Sequence, residues 1–296
     1  MSGRPHGLLV PLTTPFDRAT GDVAPVDLRE NARAVLAAGA TGIVAAGSTG
    51  EASLLSEAEY RQVLGWLRDV VPDDAWLVAG AGRESTRATI AACDVAGEEG
   101  ANAVLVRAPA YYAPVITPQG LLDHFQRVAD ESPVPLLLYN FPEYTHLPVT
   151  EALVSGLAGH ENVWGAKDSS GDLKNFAAYR DAAPDWTLFM GPAALYYAAL
   201  ELGAGGAIAA AGCFAAAEIA AIGIAFDAGD RAGAGRAQER VAPLHKEIVG
   251  RRGVPGVKAA MDLVGMVGGP VRSPLTDLDT GGRDKIAKLL RKAKLL

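Results

Sequence analysis

Eight short apolar runs alternate with amphipathic stretches of helical length along most of this chain, and this alternation limits the folds that it can adopt. The runs lie at residues 8–12, 42–46, 76–80, 103–106, 135–139, 163–167, 187–190 and 206–209. Strands that are apolar on both faces are typical of a parallel sheet covered by helices. Eight such strand–helix units close most simply into a (β/α)8 barrel, the TIM barrel of the α/β class.

An open, doubly wound sheet is the alternative arrangement of the same units. That fold often binds a dinucleotide at a GxGxxG turn after its first strand. Here Gly80-Ala81-Gly82 lacks the third glycine and follows the third run. The motif is weak support for a nucleotide site, so the closed barrel is the favoured prediction.

The pattern changes after residue 229, where helical stretches follow at residues 231–250, 256–267 and 283–293. No linker rich in proline, glycine or serine separates these stretches from the barrel. Such linkers usually mark domain boundaries. We therefore predict a barrel over residues 1–229 and a C-terminal helical extension over residues 230–296 that packs onto it.

Capping residues predict where several of the helices begin. We expect Asp27 to cap the first helix, and Ser56 with Glu59 to form a capping box at the second. Ser85 is expected to begin the third helix. The helix after the sixth strand is expected to begin near Asp172.

Charge and hydropathy disfavour several classes of function. The 296 residues carry a net charge of −7 and have a pI near 5.3, which argues against nucleic-acid binding. No apolar run approaches the roughly 20 residues of a membrane helix, and residues 1–6 are too short for the start of a signal peptide. We expect a soluble cytoplasmic protein.

Cys93 and Cys213 have no CxxC partner, so we expect free thiols and no structural metal site.

Lys167 ends the sixth apolar run and is followed by a small polar loop. Lysine is scarce in this chain, with none before this position. Desolvation at a strand end would lower the pKa of the amine, and a neutral amine can attack a ketone carbon to form a Schiff base. The alternative is a lysine that extends from the strand end into a salt bridge. The spacing alone leaves both interpretations open.

Other polar side chains also stand at predicted strand ends, where barrel enzymes place their active sites. Neighbouring strands lie about 4.8 Å apart, so Tyr139 on the fifth strand and Lys167 on the sixth would be adjacent if both point inward. Alternation places Val163, Gly165 and Lys167 on one face of the sixth strand. A phenol there could carry protons for Schiff-base chemistry, although Tyr139 could also simply cap the barrel.

The loop Gly47-Ser48-Thr49-Gly50-Glu51 follows the second strand. Glycine on each side lets the main chain approach a ligand, and exposed N–H groups with two hydroxyls suit a carboxylate or a phosphate. The alternative is an ordinary turn between a strand and a helix.

Several motifs, each at a predicted strand end, together resemble the N-acetylneuraminate lyase / dihydrodipicolinate synthase (DapA) family of class I, pyruvate-dependent aldolases. The resemblance runs from about residue 7 to residue 290. Its motifs are Pro11-Leu12-Thr13-Thr14-Pro15-Phe16, Gly47-Ser48-Thr49-Gly50-Glu51, Pro109-Ala110-Tyr111-Tyr112, Leu138-Tyr139-Asn140-Phe141-Pro142 and Gly165-Ala166-Lys167-Asp168-Ser169.

The resemblance implies a role for each matching residue. Lys167 matches the Schiff-base lysine and Tyr139 the catalytic tyrosine. Ser48 and Thr49, with Gly47, match the loop that binds the pyruvate carboxylate and relays protons. Tyr112 matches a catalytic tyrosine that reaches a neighbouring subunit's site, which implies a homotetramer built as a dimer of dimers. No metal or organic cofactor is implied, because the protonated imine serves as the electron sink.

The substrate implied is a 4-hydroxy-2-oxo acid that yields pyruvate and an aldehyde, since the chain looks closest to 4-hydroxy-2-oxoglutarate aldolases. Dihydrodipicolinate synthases carry a carboxylate-binding arginine where Tyr144 stands here, and usually a glycine where His146 stands. Tyr144, His146 and Ile208 are the remaining predicted substrate-binding residues. Arg107 either binds a second carboxylate or forms a salt bridge toward the surrounding helices.

Three other functions remain open from the sequence. The chain resembles dihydrodipicolinate synthases, which condense pyruvate with an aldehyde, and sugar-acid dehydratases of the same family. It could also be a catalytically silent homologue that binds 2-oxo acids.

Overall fold

A closed barrel of eight parallel strands forms the centre of the molecule, in a computed structural model that describes residues 3–296. Each strand pairs with its neighbours in sequence, and β8 pairs with β1. The closed-barrel prediction is therefore confirmed over the open sheet. The strands are β1 Gly7–Pro11, β2 Gly42–Ala45, β3 Trp76–Gly80, β4 Ala103–Arg107, β5 Leu136–Asn140, β6 Val163–Asp168, β7 Thr187–Met190 and β8 Gly206–Ile208.

Helices surround the barrel and continue beyond it. Those of the barrel are α1 Pro25–Ala37, α2 Glu57–Arg68, α3 Thr86–Glu98, α4 Pro118–Glu131, α5 Pro142–Thr145, α6 Glu151–Leu157, α7 Leu173–Ala182, α8 Tyr196–Glu201 and α9 Gly212–Asp227. The C-terminal helices are α10 Arg231–Leu244, α11 Arg251–Leu263 and α12 Thr280–Lys292. A π-helical turn, His245–Gly250, joins α10 to α11.

Helix starts agree with the sequence at three of the four predicted caps. Ser56 and Glu59 form the predicted capping box, and Ser85 and Asp172 cap α3 and α7. Asp27 does not cap α1, which begins two residues earlier at Pro25. Proline at the first helical position has no N–H to satisfy and a backbone angle suited to a helix, so no side-chain cap is needed there.

Alternate residues of the strands fill the barrel interior. The interior cluster consists of Leu9, Val44, Trp76, Val78, Ala103, Leu105, Leu137, Tyr139, Phe189 and Ile208. One prediction about faces was wrong, because β6 has a register shift opposite Leu136 and Leu137. The extra residue, Trp164, packs toward the interior cluster, while Val163 joins the core between sheet and helices. Val163 therefore does not share a face with Lys167.

The C-terminal helices pack directly against the barrel elements. The Thr13 hydroxyl donates to Met261 Sδ on α11 at 3.1 Å, and the Asn31 side chain on α1 donates to the Val267 carbonyl at 2.7 Å. The boundary near residue 229 stays a prediction. Between residues 3 and 296, no helix combines the length and the hydropathy that a bilayer crossing requires.

β6 approaches β7 closely at Gly165, which lies two residues before Lys167. A substitution at Gly165 tests this close approach. A Cβ at this position would lie 1.9 Å from the Thr187 carbonyl oxygen, and a backbone atom cannot move aside as a side-chain tip could. We expect Gly165→Ala to lower the free energy of unfolding by at least about 2 kcal/mol. Denaturant unfolding measures the change.

Gly235→Ala on α10 is the matched control, since no atom lies within 4 Å of its added Cβ. It should leave stability unchanged or raise it by up to about 1 kcal/mol. Equal stability of the two variants would contradict the close strand approach.

Candidate active site

Lys167 lies at the carboxyl end of β6 and is 6% exposed. Its Nζ atom lies 4.1 Å from the centre of the Tyr139 ring on β5, and the two residues are direct partners in the sheet register. Within residues 3–296, this amine has no hydrogen bond or ion pair. The neighbouring carboxylate, Asp168, instead accepts bonds from Asn140 and Ser170. The lysine is therefore buried but not held in a salt bridge.

Tyr139 is 5% exposed and belongs to the interior cluster. Its ring stacks on Phe141 with centres 5.6 Å apart, and Phe141 in turn contacts Tyr144 at 4.3 Å. No protein partner in the described chain hydrogen-bonds the Tyr139 hydroxyl. The residue forms part of the wall of a small cavity of about 30 Å³, together with Gly47, Ser48 and other residues of the β2 and β4 ends.

The loop at residues 47–51 presents free backbone donors. The N–H groups of Gly50 and Glu51 bond to carbonyls of the loop itself, at 3.0 and 3.2 Å. Those of Ser48 and Thr49 donate to no group in the part of the chain that the structure describes. Their hydroxyls also have no partner there. Two adjacent amides and two hydroxyls are thus available to an anion.

Backbone strain shapes this loop. Ala46, directly before the loop, and Glu51, its last residue, have φ values of +47° and +58°, in the left-handed region that residues with a Cβ rarely adopt. Such conformations persist only where the surroundings impose them, and they concentrate at functional sites. Gly80 allows the close contact that does so, since a Cβ there would lie 2.1 Å from the Ala46 carbonyl oxygen.

A buried ion pair holds the end of the loop. Glu51 Oε1 lies 2.5 Å from Nζ of Lys258 on α11, and the two side chains are 0% and 2% exposed. Glu51 Oε2 also accepts the Arg272 N–H at 2.8 Å, and Lys258 donates to the Pro270 carbonyl at 2.7 Å. Burial lowers the pKa of Lys258, while the charge of Glu51 opposes that shift. The C-terminal extension thus fixes the loop that carries Ser48 and Thr49.

This buried pair was not predicted from the sequence. Lys258 is one of the few lysines in the chain and stands between Val257 and Ala259, in an apolar stretch. A lysine in that setting needs a buried partner, and that signal could have identified Lys258.

A larger cavity of about 720 Å³ adjoins the small one. The two share Ser48, Ala52, Ser53 and Arg107 in their walls. The wall of the larger cavity also contains Tyr144, which is 60% exposed, and Arg252 from the start of α11. Both cavities lie where the strands end, as expected for a barrel enzyme.

Arg107 is in register with Tyr139 but is already paired. Its Nη2 atom lies 2.8 Å from Glu84 Oε1, and its Nη1 donates to the Ala108 carbonyl at 2.9 Å. Glu84 also accepts the N–H groups of Ala110 and Tyr111. Of the two predictions for Arg107, the structure therefore shows the salt bridge. Its partner, Glu84, lies on the loop between β3 and α3 and not on one of the surrounding helices.

Lys167, Thr49 and the remaining predicted site residues are not in the walls of either cavity. Tyr112 is 63% exposed and contacts Tyr111 edge to face, and it lines neither cavity. His146 is exposed with φ +57° at the end of α5, and Ile208 is fully buried inside the barrel. Their roles stay predictions. No group of three or more His, Cys, Asp or Glu side chains in residues 3–296 is arranged to hold a metal.

Comparison with known proteins places this geometry in a family. The sequence model of the dihydrodipicolinate synthetase family matches residues 4–293. The chain belongs to this family. It is 33% identical to the 4-hydroxy-tetrahydrodipicolinate synthase of Methanoculleus marisnigri, over 96% of this chain and 98% of that one. It is 32% identical to an uncharacterized DapA-like lyase of Halobacterium salinarum, over 94% of this chain and 90% of that one.

Solved structures of the dihydrodipicolinate synthetase family share the whole fold. Dihydrodipicolinate synthase from Acinetobacter baumannii, complexed with pyruvate, superposes with a TM-score of 0.93 at 29% identity, over 98% of this chain and 99% of that one. YagE from Escherichia coli, also in complex with pyruvate, superposes with a TM-score of 0.92 at 28% identity, over 98% of this chain and 99% of YagE. As a member of this family of lyases and aldolases, the chain is an enzyme.

The Glu51–Lys258 pair generates a stability prediction. Lys258→Met should lower the free energy of unfolding by about 3–5 kcal/mol, because it leaves the Glu51 charge buried without its partner. Adding Glu51→Gln to that variant should recover part of the loss, since it removes the buried charge. Unfolding of the single and double variants measures both effects.

Lys288→Met on the exposed face of α12 is the control for loss of a lysine. It should change stability by less than about 0.5 kcal/mol. A cost for Lys258→Met as small as that of the control would show that the pair does not hold the loop.

Proposed function

We propose that this enzyme cleaves a 4-hydroxy-2-oxo acid, of the 4-hydroxy-2-oxoglutarate type, to pyruvate and an aldehyde through a Schiff base on Lys167. The observation that carries the proposal is the buried Lys167 amine, free of any ion pair and 4.1 Å from the centre of the Tyr139 ring. A lysine that formed only structural contacts would be expected to have a carboxylate partner at this depth.

The first steps form the Schiff base. The carboxylate of the substrate binds the free N–H groups of Ser48 and Thr49, which brings its C2 ketone to the amine of Lys167. The nitrogen attacks C2, and the carbinolamine loses water to give an iminium ion. Tyr139 supports this step as the phenol nearest to the lysine, able to pass protons to and from the carbinolamine oxygen.

Cleavage follows from the charge on the iminium. Tyr139 is a phenolate at this point, because it has given its proton to the hydroxyl that leaves the carbinolamine as water. It accepts the proton of the C4 hydroxyl while the C3–C4 bond breaks, and the bonding electrons move into the iminium to give an enamine. The aldehyde leaves. The enamine takes a proton at C3, and water hydrolyses the resulting imine to release pyruvate and the free lysine. Electrons and protons balance without a redox cofactor or a metal.

The names of the relatives favour a second candidate, condensation of pyruvate with an aldehyde followed by ring closure. Both reactions form a Schiff base on Lys167 and pass through the same pyruvate enamine, which cleavage produces and condensation consumes, so Lys167 and Tyr139 serve both. Tyr144 favours cleavage over that synthesis, because it replaces the arginine by which dihydrodipicolinate synthases hold the second substrate. Product analysis distinguishes a free aldehyde from a cyclic product or from a dehydrated acid.

We also propose that the enzyme works as a homotetramer, in which Tyr112 reaches a neighbouring subunit's site. In the single chain, Tyr111, Tyr112 and Val115 are 78%, 63% and 75% exposed, so three large side chains close together in the sequence face solvent. Light scattering of the purified protein tests the assembly, and a monomer with full activity would contradict it.

Variants of Lys167 and Tyr139 test the chemistry. Lys167→Ala and Lys167→Arg should abolish pyruvate release, since neither side chain can form the Schiff base. Tyr139→Phe should lower kcat by roughly 10²- to 10⁴-fold through loss of proton transfer. A coupled assay for pyruvate with 4-hydroxy-2-oxoglutarate measures all three.

Lys174→Ala, at an exposed lysine on α7, should retain full activity. Circular dichroism of each inactive variant separates loss of chemistry from loss of fold. Appreciable cleavage by a folded Lys167 variant would overturn the mechanism. Failure of the wild-type enzyme to release pyruvate from any 4-hydroxy-2-oxo acid would instead favour the silent, 2-oxo-acid-binding homologue.

A further inference from the structure

We propose that Arg252 forms a second anion site in the wall of the larger cavity, where it binds a carboxylate on the aldehyde portion of the substrate. The inference rests on the proposed function and extends it, because it selects dicarboxylic 4-hydroxy-2-oxo acids over those that end in a neutral group.

The position of Arg252 suits this role. It is the second residue of α11, and the helix backbone breaks immediately after it at Gly253, which has φ +57°. The side chain is only 13% exposed, yet it lines the cavity of about 720 Å³ that Tyr144 also lines. A guanidinium held in this way is largely ordered before any ligand arrives.

Most hydrogen-bond donors of Arg252 are free. Nη1 donates to the Glu247 carbonyl, and the Glu247 carboxylate lies 3.8 Å from the same atom. Nε and Nη2 have no hydrogen-bond partner in residues 3–296. Neither atom is among the fully buried polar atoms that lack a partner. They therefore reach open space. The two donors lie along one edge of the planar guanidinium and match the two oxygens of a carboxylate.

The charged side chains in the cavity wall leave a positive excess. Its wall contains Arg107, Arg251 and Arg252 against Glu51 and Glu84. The two carboxylates are already engaged, Glu51 by Lys258 and Glu84 by Arg107. Glu247 is shared, at 2.9 Å from Arg251 and 3.8 Å from Arg252.

Arg107 is less suited to this role, although it lies nearer to Tyr139. Its guanidinium is held by Glu84 and by a backbone carbonyl. Tyr144 is the better second donor. Burial raises the pKa of its hydroxyl, which therefore stays protonated and able to donate.

Paired substrates test the site. The wild-type enzyme should cleave 4-hydroxy-2-oxoglutarate with a kcat/KM roughly 10- to 100-fold above that for 4-hydroxy-2-oxopentanoate, which has a methyl group in place of the distal carboxylate. Arg252→Met should remove that preference by lowering only the dicarboxylate value, and Arg252→Lys should restore part of it. Arg236→Met on α10 is the control for loss of an arginine, since Arg236 is exposed and lines neither cavity.

Three results would overturn the site: no substrate preference in the wild type, an equal loss on both substrates in Arg252→Met, or an equal effect of Arg236→Met. A preference for a phosphate-terminated 4-hydroxy-2-oxo acid over the dicarboxylate would overturn the carboxylate assignment.

A binding measurement separates failure of this site from failure of the proposed function. If the wild type cleaves neither substrate, calorimetry compares the binding of 2-oxoglutarate with that of 2-oxopentanoate. Tighter binding of 2-oxoglutarate by the wild type but not by Arg252→Met would support the site in an enzyme of another activity. Equal binding of the two acids would contradict it.

Discussion

Parallel pairing of β5 with β6 is the constraint on which the candidate site depends. It places Tyr139 opposite Lys167 in register, inside a closed barrel where each side chain is almost fully buried. The amine has no carboxylate partner within residues 3–296, and the proposed mechanism assigns proton transfer to the adjacent phenol. The register shift earlier in β6 belongs to the same arrangement, because it sets which residues of the strand point inward.

The C-terminal helices contribute to the site as well as to the fold. Lys258 on α11 holds Glu51 and with it the loop of free amides, and Arg252 at the start of the same helix faces the larger cavity. One helix thus connects the region proposed to bind the pyruvate carboxylate with the region proposed to bind the distal carboxylate. Both contacts are side-chain interactions, so they can be altered without changing the strands that carry Lys167 and Tyr139.

The sequence predicts the barrel well because its signals are local. Each strand is a short apolar run between turn residues, and β3 and β7 begin and end at the predicted residues. Lys167 and Tyr139 could be paired in advance because parallel strands end at one edge of a barrel.

The features that the sequence did not predict depend on nonlocal or irregular geometry. Alternation fails at Val163 because an extra residue enters β6, and no residue type marks that shift. The partners of Arg107 and Lys258 lie on distant segments, so their ion pairs follow only from the folded chain. Arg252 was missed because the sequence does not distinguish it from Arg251 beside it, although only Arg252 is largely buried in the fold.

The most direct test of the central claim is to reduce the enzyme with borohydride in the presence of pyruvate and to locate the modified peptide by mass spectrometry. We expect one adduct per chain, on Lys167, and none on the other seven lysines. The absence of an adduct in a folded sample, or an adduct on a different lysine, would contradict the assignment of Lys167 as the Schiff-base residue.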